Sequence, residues 1–267
     1  MSGIKVIRVQ MKSQLFLHMG PGFHSQVEKQ LFQTSYPKVE FWDQPFLDTI
    51  ESLEDAATEK ALELFQQNGG EPIDLIGHSF GGSLVLAIAK KYPHILREIK
   101  LVNSGPNPFE CFLNMSFYLL CHKDEGAFLS KTNFLKGATV DDKLKFIIEL
   151  ATAEGFSDIY WFSKERMEFF KSVFATHPAL NVENFLKVFG SFLQRQQTQP
   201  EITKPIWSGL VTIYHSQEDY LYKQADQRAM IDWLKYFPQA QINLLRNSGH
   251  NSHIEDQALS LRIFNKN

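Results

Sequence analysis

The chain has 267 residues, enough to bury a full hydrophobic core in one domain. Its apolar and charged fractions, 43% and 21%, are ordinary for a globular protein, and a net charge of −3 without a Lys/Arg run argues against nucleic-acid binding. No segment approaches the ~18 consecutive apolar residues of a membrane span, no signal-peptide pattern opens the chain, and Cys111 and Cys121 are too few for a disulfide scaffold, so a cytoplasmic protein with free thiols is expected.

Strand-like and helical patterns alternate along the chain. Ile4–Val9 alternates in the manner of a strand. Gln14–His18 reads as a buried strand that breaks at Gly20-Pro21-Gly22. A helical stretch near Ser25–Thr34 and a strand at Val39–Trp42 follow. From Asp48 to Gln67, Leu53, Ala57, Ala61, Leu64 and Phe65 recur at helical spacing, and Asn68-Gly69-Gly70 ends that helix. Ile73–Ile76 is a short buried strand running straight into Gly77-His78-Ser79-Phe80-Gly81. Gly82 to Tyr92 is helical and stopped by Pro93, with a strand at Ile99–Asn103 behind it. Leu210–Tyr214 and Gln241–Leu245 supply two more strands, each followed by a helix.

Between about Asn107 and Pro200 no strand signal occurs, and the composition turns aromatic. Fourteen of the 23 phenylalanines fall there, which marks the segment as a helical insertion lying over the C-terminal edge of the sheet. The expected architecture is therefore α/β, with a mostly parallel sheet flanked by helices. Residues 1–105 and 205–267 would form its core, and residues 106–204 a helical cap.

A Gly-x-Ser-x-Gly pattern arises by chance in about one chain in ten of this length. Its position is what makes Ser79 a candidate nucleophile. It lies directly after an apolar strand and directly before an apolar helix, as a strained strand-to-helix elbow requires. A serine hydroxyl needs a base to remove its proton, and the base should be a histidine with pKa near the working pH. Of nine histidines, His250 is best placed, in Asn247-Ser248-Gly249-His250 after the last strand. His253 is its rival and is expected at the surface or a helix start, while His215 is expected to pack near the site.

An acid must lie between Ser79 and His250 in the chain to orient the imidazole. Asp219 stands in the loop after the Leu210–Tyr214 strand, with Glu218 beside it as an open alternative. The end of the Ile99–Val102 strand offers no acid, because Asn103 occupies it. Two backbone N–H groups should bind the oxyanion. Phe80 supplies one, and Gly20, or failing it Met19, supplies the other.

With these motifs in order, the sequence resembles the α/β-hydrolase superfamily over about Gln14–Gly105 and Pro205–Phe264. Gly77-His78-Ser79-Phe80-Gly81-Gly82 is similar to the elbow of its esterases and lipases. Gly249-His250 with Glu255-Asp256 is similar to its Gly-His-x-x-x-x-Glu-x-Pro ending, with Gln257 in place of proline. His18-Met19-Gly20-Pro21-Gly22 resembles the His-Gly-Gly-Pro-Gly loop of the proline iminopeptidase branch, with Met19 for its first glycine. Asp43-Gln44 is similar to the start of that branch's Asp-Gln-Arg-Gly. The resemblance implies a parallel sheet with helices on both faces and a helical cap. The segment before Gln14 is short for the family's leading antiparallel strands, so one or both are expected to be missing.

A serine at the elbow argues against dehalogenases and epoxide hydrolases of this fold, which the resemblance implies use aspartate. Esters, thioesters, lactones, amides and certain carbon–carbon bonds remain, and a carboxylesterase-like activity is expected. The aromatic residues of Phe109–Phe192 would either line a pocket for an apolar acyl substrate or fill the core of the cap itself. No metal or organic cofactor is expected, nor a membrane span or nucleic-acid partner. Two other readings stay open. One is an aminopeptidase whose cap glutamates, Glu154, Glu165 and Glu168, hold a free amine; the other is a ligand-binding signalling protein that retains the triad.

Overall fold

A computed structural model describes residues 12–177, 181–198, 204–221 and 228–265. The strand-like Ile4–Val9 lies outside the described residues. Among these residues six strands form one sheet: β1 (Gln14–Leu17), β2 (Val39–Trp42), β3 (Ile73–His78), β4 (Leu96–Val102), β5 (Leu210–Ser216) and β6 (Gln241–Leu245). Their order is β2-β1-β3-β4-β5-β6, and every ladder is parallel. Helices α1 (Gln26–Phe32), α2 (Ile50–Gln67) and α3 (Gly81–Lys91) connect the first four strands. Helices α4 (Pro108–Leu119), α5 (Glu125–Lys136), α6 (Val140–Ala151), α7 (Lys164–Thr176) and α8 (Val182–Thr198) fill the interval between β4 and β5. Helix α9 (Arg228–Tyr236) precedes β6, and α10 (Ser252–Glu255) and α11 (Gln257–Phe264) follow it.

Successive side chains of a strand point to opposite faces, and the two faces bury different helices. Leu15, Leu17, Leu75, Ile99, Leu101 and Ile213 pack with α2 and α3 on one side. Phe16, Ile76, Val102 and Tyr214 pack with Val27 and Phe32 of α1 and Ile263 and Phe264 of α11 on the other. Central strands covered on both faces are mainly apolar, and β3 is buried at all six positions, with Asp74 held by Gln14 and Arg97.

Helix ends are set by local chemistry. Thr49, Asn107, Asp124, Thr139, Ser163 and Asp256 each cap the helix that follows with a side-chain oxygen. The insertion is tied back to the core through α8. The Arg195 guanidinium grips Glu54 of α2 in a fork of 2.7 and 2.8 Å, and Ser191 Oγ accepts the Ile50 N–H at 2.6 Å. Asn184 also donates to the Leu47 carbonyl.

At the β3–α3 junction the chain passes very close to β1. A Cβ on Gly81 would lie 2.0 Å from the Leu17 carbonyl oxygen, a backbone atom that cannot move aside. Gly137, at the end of α5, has open space around it and a φ of −95°. Gly81→Ala should therefore lose more than about 3 kcal/mol or fail to accumulate as folded protein. Gly137→Ala should leave stability within about 1 kcal/mol; urea titration of both variants checks the contrast.

Candidate active site

Three strand ends converge at the C-terminal edge of the sheet. β3 ends at His78, and Ser79 follows with φ +53°, a left-handed conformation that costs a non-glycine residue about 1–3 kcal/mol. Both peptide groups of Ser79 are held. Its N–H donates to the Val102 carbonyl at 3.0 Å, and its carbonyl accepts from the Ser104 hydroxyl at 2.6 Å and the Gly82 N–H at 3.1 Å. Helix α3 then begins at Gly81, with its N-terminal end directly beyond the serine.

β5 delivers the acid. Asp219 is fully buried, and its Oδ2 accepts from His250 Nδ1 at 2.8 Å while Oδ1 accepts the Leu221 N–H at 3.0 Å. A carboxylate partner makes Nδ1 the protonated ring nitrogen, which leaves Nε2 as the basic one. It is the Asp219 carboxylate that the structure sets against the imidazole.

The loop carrying His250 is pinned on every side. The His250 carbonyl lies 2.8 Å from Asn103 Nδ2 and 3.0 Å from His78 Nε2, and its N–H donates to the Tyr160 carbonyl at 2.9 Å. Asn103 is a hub that the sequence reading missed, having treated the residue only as a missing acid. Its Nδ2 also lies 3.0 Å from the Gly249 carbonyl, and its Oδ1 accepts the Ser216 N–H at 2.7 Å. Glu255 makes a second clamp. It accepts the N–H groups of Phe162 and Ser163 from the insertion, at 2.7 and 2.6 Å, and that of Gly249 at 2.5 Å. A Cβ at Gly249 would sit 2.8 Å from the Tyr160 carbonyl, so only glycine permits this contact.

His253 is not at the surface. It is fully buried at the start of α10, with Nε2 3.2 Å from Glu28 and its ring 4.4 Å from that of His78. The helix start is as expected, but the residue is buried because its partners come from α1 and β3, far away in sequence. Among the described residues, Glu28, His78 and His253 are also the group whose donor atoms, within 4.8 Å of one another, have the makings of a metal-ligand set. In this structure two of them bond each other, and His78 braces the His250 carbonyl. Asp43 anchors a turn by accepting the Ser25 N–H and hydroxyl, each at 2.8 Å. Cys111 and Cys121 are buried and form no disulfide with each other.

Gly20, Met19 and Phe80 line one cavity together with Ser79. The loop of Met19 and Gly20 is fixed from below by His18, whose Nδ1 lies 2.7 Å from the Met19 carbonyl and whose Nε2 accepts the Gln44 N–H at 3.2 Å. The cavity encloses about 290 Å3 between the sheet edge and the insertion. Its walls are mostly apolar, with Phe112, Ile147, Phe156, Phe185 and Phe189 among them. Other insertion rings, including Phe146 and Phe192, are buried in the hydrophobic core. Some aromatic rings of the insertion therefore line the cavity and others fill the core.

A family model for the alpha/beta hydrolase fold matches residues 33–257. The chain belongs to that family. No curated protein matches it by sequence. Among solved structures, it is similar to a proline iminopeptidase-related protein from Thermus thermophilus, with 17% identity, a TM-score of 0.62 and coverage of 96% of this chain and 88% of the other. A serine hydrolase of Cycloclasticus zankles shares 15% identity at a TM-score of 0.59, over 94% and 87% of the two chains. The 2-hydroxy-6-oxo-6-phenylhexa-2,4-dienoate hydrolase of Rhodococcus sp. strain RHA1 shares 16% at 0.58, over 96% and 91%. At such identities the likeness is one of fold. No helix among the described residues is long and apolar enough to cross a membrane.

Burial pushes the imidazoles of His18 and His215 below their ordinary pKa, and pushes His78 well below it. Each stays neutral in the fold but takes up a proton in the unfolded chain near pH 6.5. Stability is therefore complete above that pH and declines as the pH falls through it toward the folded values. His78→Gln keeps a donor for the His250 carbonyl and removes one such group. Its stability should fall less steeply than wild type just below pH 6.5, by up to about 1.4 kcal/mol per pH unit, in chemical denaturation at several pH values.

Proposed function

We propose that this chain is a serine acyl hydrolase, carboxylesterase-like, that cleaves an ester, thioester or similar carbonyl compound through an acyl-enzyme on Ser79. The observation that carries the reading is the buried Asp219–His250 hydrogen bond, 2.8 Å long, at the strand edge where a strained serine turn opens on an apolar cavity. In the proposed first step Ser79 Oγ attacks the substrate carbonyl carbon while His250 Nε2 takes the hydroxyl proton. Charge collects on the carbonyl oxygen, where the N–H groups of Phe80 and Gly20 would hold it. The intermediate collapses, and the leaving alcohol or thiol departs with the proton from His250. Water then repeats the sequence at the acyl carbon, with His250 again as base, and releases the acid with Ser79 restored. Asp219 keeps the imidazole in the tautomer this cycle needs and offsets the charge of the imidazolium.

Helices α4–α8 act in this reading as a cap that selects the acyl group. Most of the wall residues they contribute carry no charge, which favours an apolar acyl chain. Lys171 is the one charged side chain among the described residues lining the cavity, and it stands 3.8 Å from both Asp158 and Glu168. The aminopeptidase reading draws no support from the cap. Glu154, Glu165 and Glu168 are exposed, and none lines the cavity, so none is in place to hold a substrate amine.

A series of p-nitrophenyl esters from acetate to decanoate tests the proposal. Hydrolysis should favour acyl chains longer than acetate, and Ser79→Ala should lower kcat about a thousandfold or more. Equal rates for wild type and Ser79→Ala would overturn the assignment. A ligand-binding protein that merely retains these side chains predicts no Ser79-dependent product at any chain length.

A further inference from the structure

Asn251 follows His250 and precedes the first turn of α10. It lines the cavity onto which Ser79 opens and is only 1% exposed. Its Oδ1 is buried and accepts no hydrogen bond from the described residues. The side chain does not cap α10, because the bonds at that turn are made by the main-chain carbonyl, which accepts the N–H groups of Ile254 and Glu255 at 2.8 and 3.2 Å. Three other polar side chains of the wall have partners. Ser157 bonds Asp158 at 3.1 Å, the Tyr160 hydroxyl contacts Met115 Sδ at 3.9 Å, and Lys171 has its two carboxylates.

A buried amide oxygen without a donor is destabilising, and a native fold satisfies such a group with protein, water or ligand. Here the described residues supply no donor, and Asn251 stands in the wall of a mostly apolar cavity, so a molecule bound there is a source of one. A plain acyl chain carries none. Asn251 is also next in sequence to His250 and shares the cavity wall with Ser79, so it belongs to the side of the cavity where the reaction is proposed. We propose that Asn251 is a specificity-determining residue that accepts a hydrogen bond from a hydroxyl or N–H of the substrate, one or two atoms from the scissile carbonyl. The substrate class is then an acyl compound with an apolar body and a hydrogen-bond donor beside its reacting centre, such as a 2-hydroxyacyl ester. The inference rests on the acyl-hydrolase reading and narrows its substrate.

Three esters of one shape separate the terms: phenyl butyrate, phenyl 2-hydroxybutyrate, and phenyl 2-methoxybutyrate, which adds an oxygen without a donor. In wild type, kcat/KM should favour the 2-hydroxy ester over the butyrate by about tenfold or more, and the methoxy ester should not share the gain. Asn251→Leu should bring the hydroxy-to-butyrate ratio close to one. Asn251→Ala gives the same reading if leucine disturbs the fold, as judged by circular dichroism. A ratio near one in wild type, a ratio that survives both substitutions, or a gain shared by the methoxy ester would overturn the inference. Calorimetric titration of Ser79→Ala with the same three esters reads the preference without turnover. Ser79-dependent hydrolysis with a flat ratio rejects only the role of Asn251. Absence of Ser79-dependent hydrolysis on every ester rejects the parent reading, and the binding preference then decides on Asn251 independently.

Discussion

Everything at this site hangs on a turn that has no freedom to relax. Ser79 stands in the left-handed region because β3 must hand over to α3 within two residues, from Ser79 to Gly81. The Val102 carbonyl holds one of its peptide groups and the Ser104 hydroxyl the other. Beside it Gly81 lies so close to the Leu17 carbonyl that even a methyl group would collide. Strain of this kind persists only where surrounding structure overdetermines it. Here the surroundings are the ends of β1 and β4, so the central strands and the position of the serine are one construction.

The imidazole is positioned by a second construction that joins the sheet to the insertion. Asn103, itself at φ +42° at the end of β4, binds the His250 loop and the end of β5 through one side chain. Glu255 binds that same loop to Phe162 and Ser163, and Tyr160 accepts the His250 N–H. Tyr160 and Trp161 also line the cavity. A ligand pressing on that wall therefore presses on the backbone that carries the histidine. The cavity wall and the backbone that carries His250 are thus joined by hydrogen bonds, and rigid positioning of this sort is what the proposed reaction would require.

Most of the sheet was legible in the sequence because parallel strands covered on both faces must be continuous apolar runs. Ile73–Ile76 and Leu210–Tyr214 announce themselves in that way, each merely extending further, to His78 and Ser216. The elbow was legible because glycine spacing and strand-to-helix context coincide at one place. What stayed hidden depends on contacts between distant segments. His253 has the local setting of a solvent-facing turn, and only the arrival of Glu28 and His78 makes it a core residue. Glu255 could be matched to a family ending, yet its partners are backbone N–H groups about ninety residues earlier, which no side-chain pattern reveals. The Phe-rich insertion signalled a separate helical layer. Which rings face the cavity and which fill the core is decided by three-dimensional packing alone.

The central claim is that the buried Asp219–His250 pair activates Ser79. Labelling by a fluorophosphonate probe measures that activation at the hydroxyl itself, without reference to any substrate. The account predicts rapid labelling of wild type, none of Ser79→Ala, and labelling of Asp219→Asn slowed by about two orders of magnitude or more, because the imidazole loses its required tautomer. Labelling that persists in Ser79→Ala, or proceeds in Asp219→Asn at the wild-type rate, would contradict it.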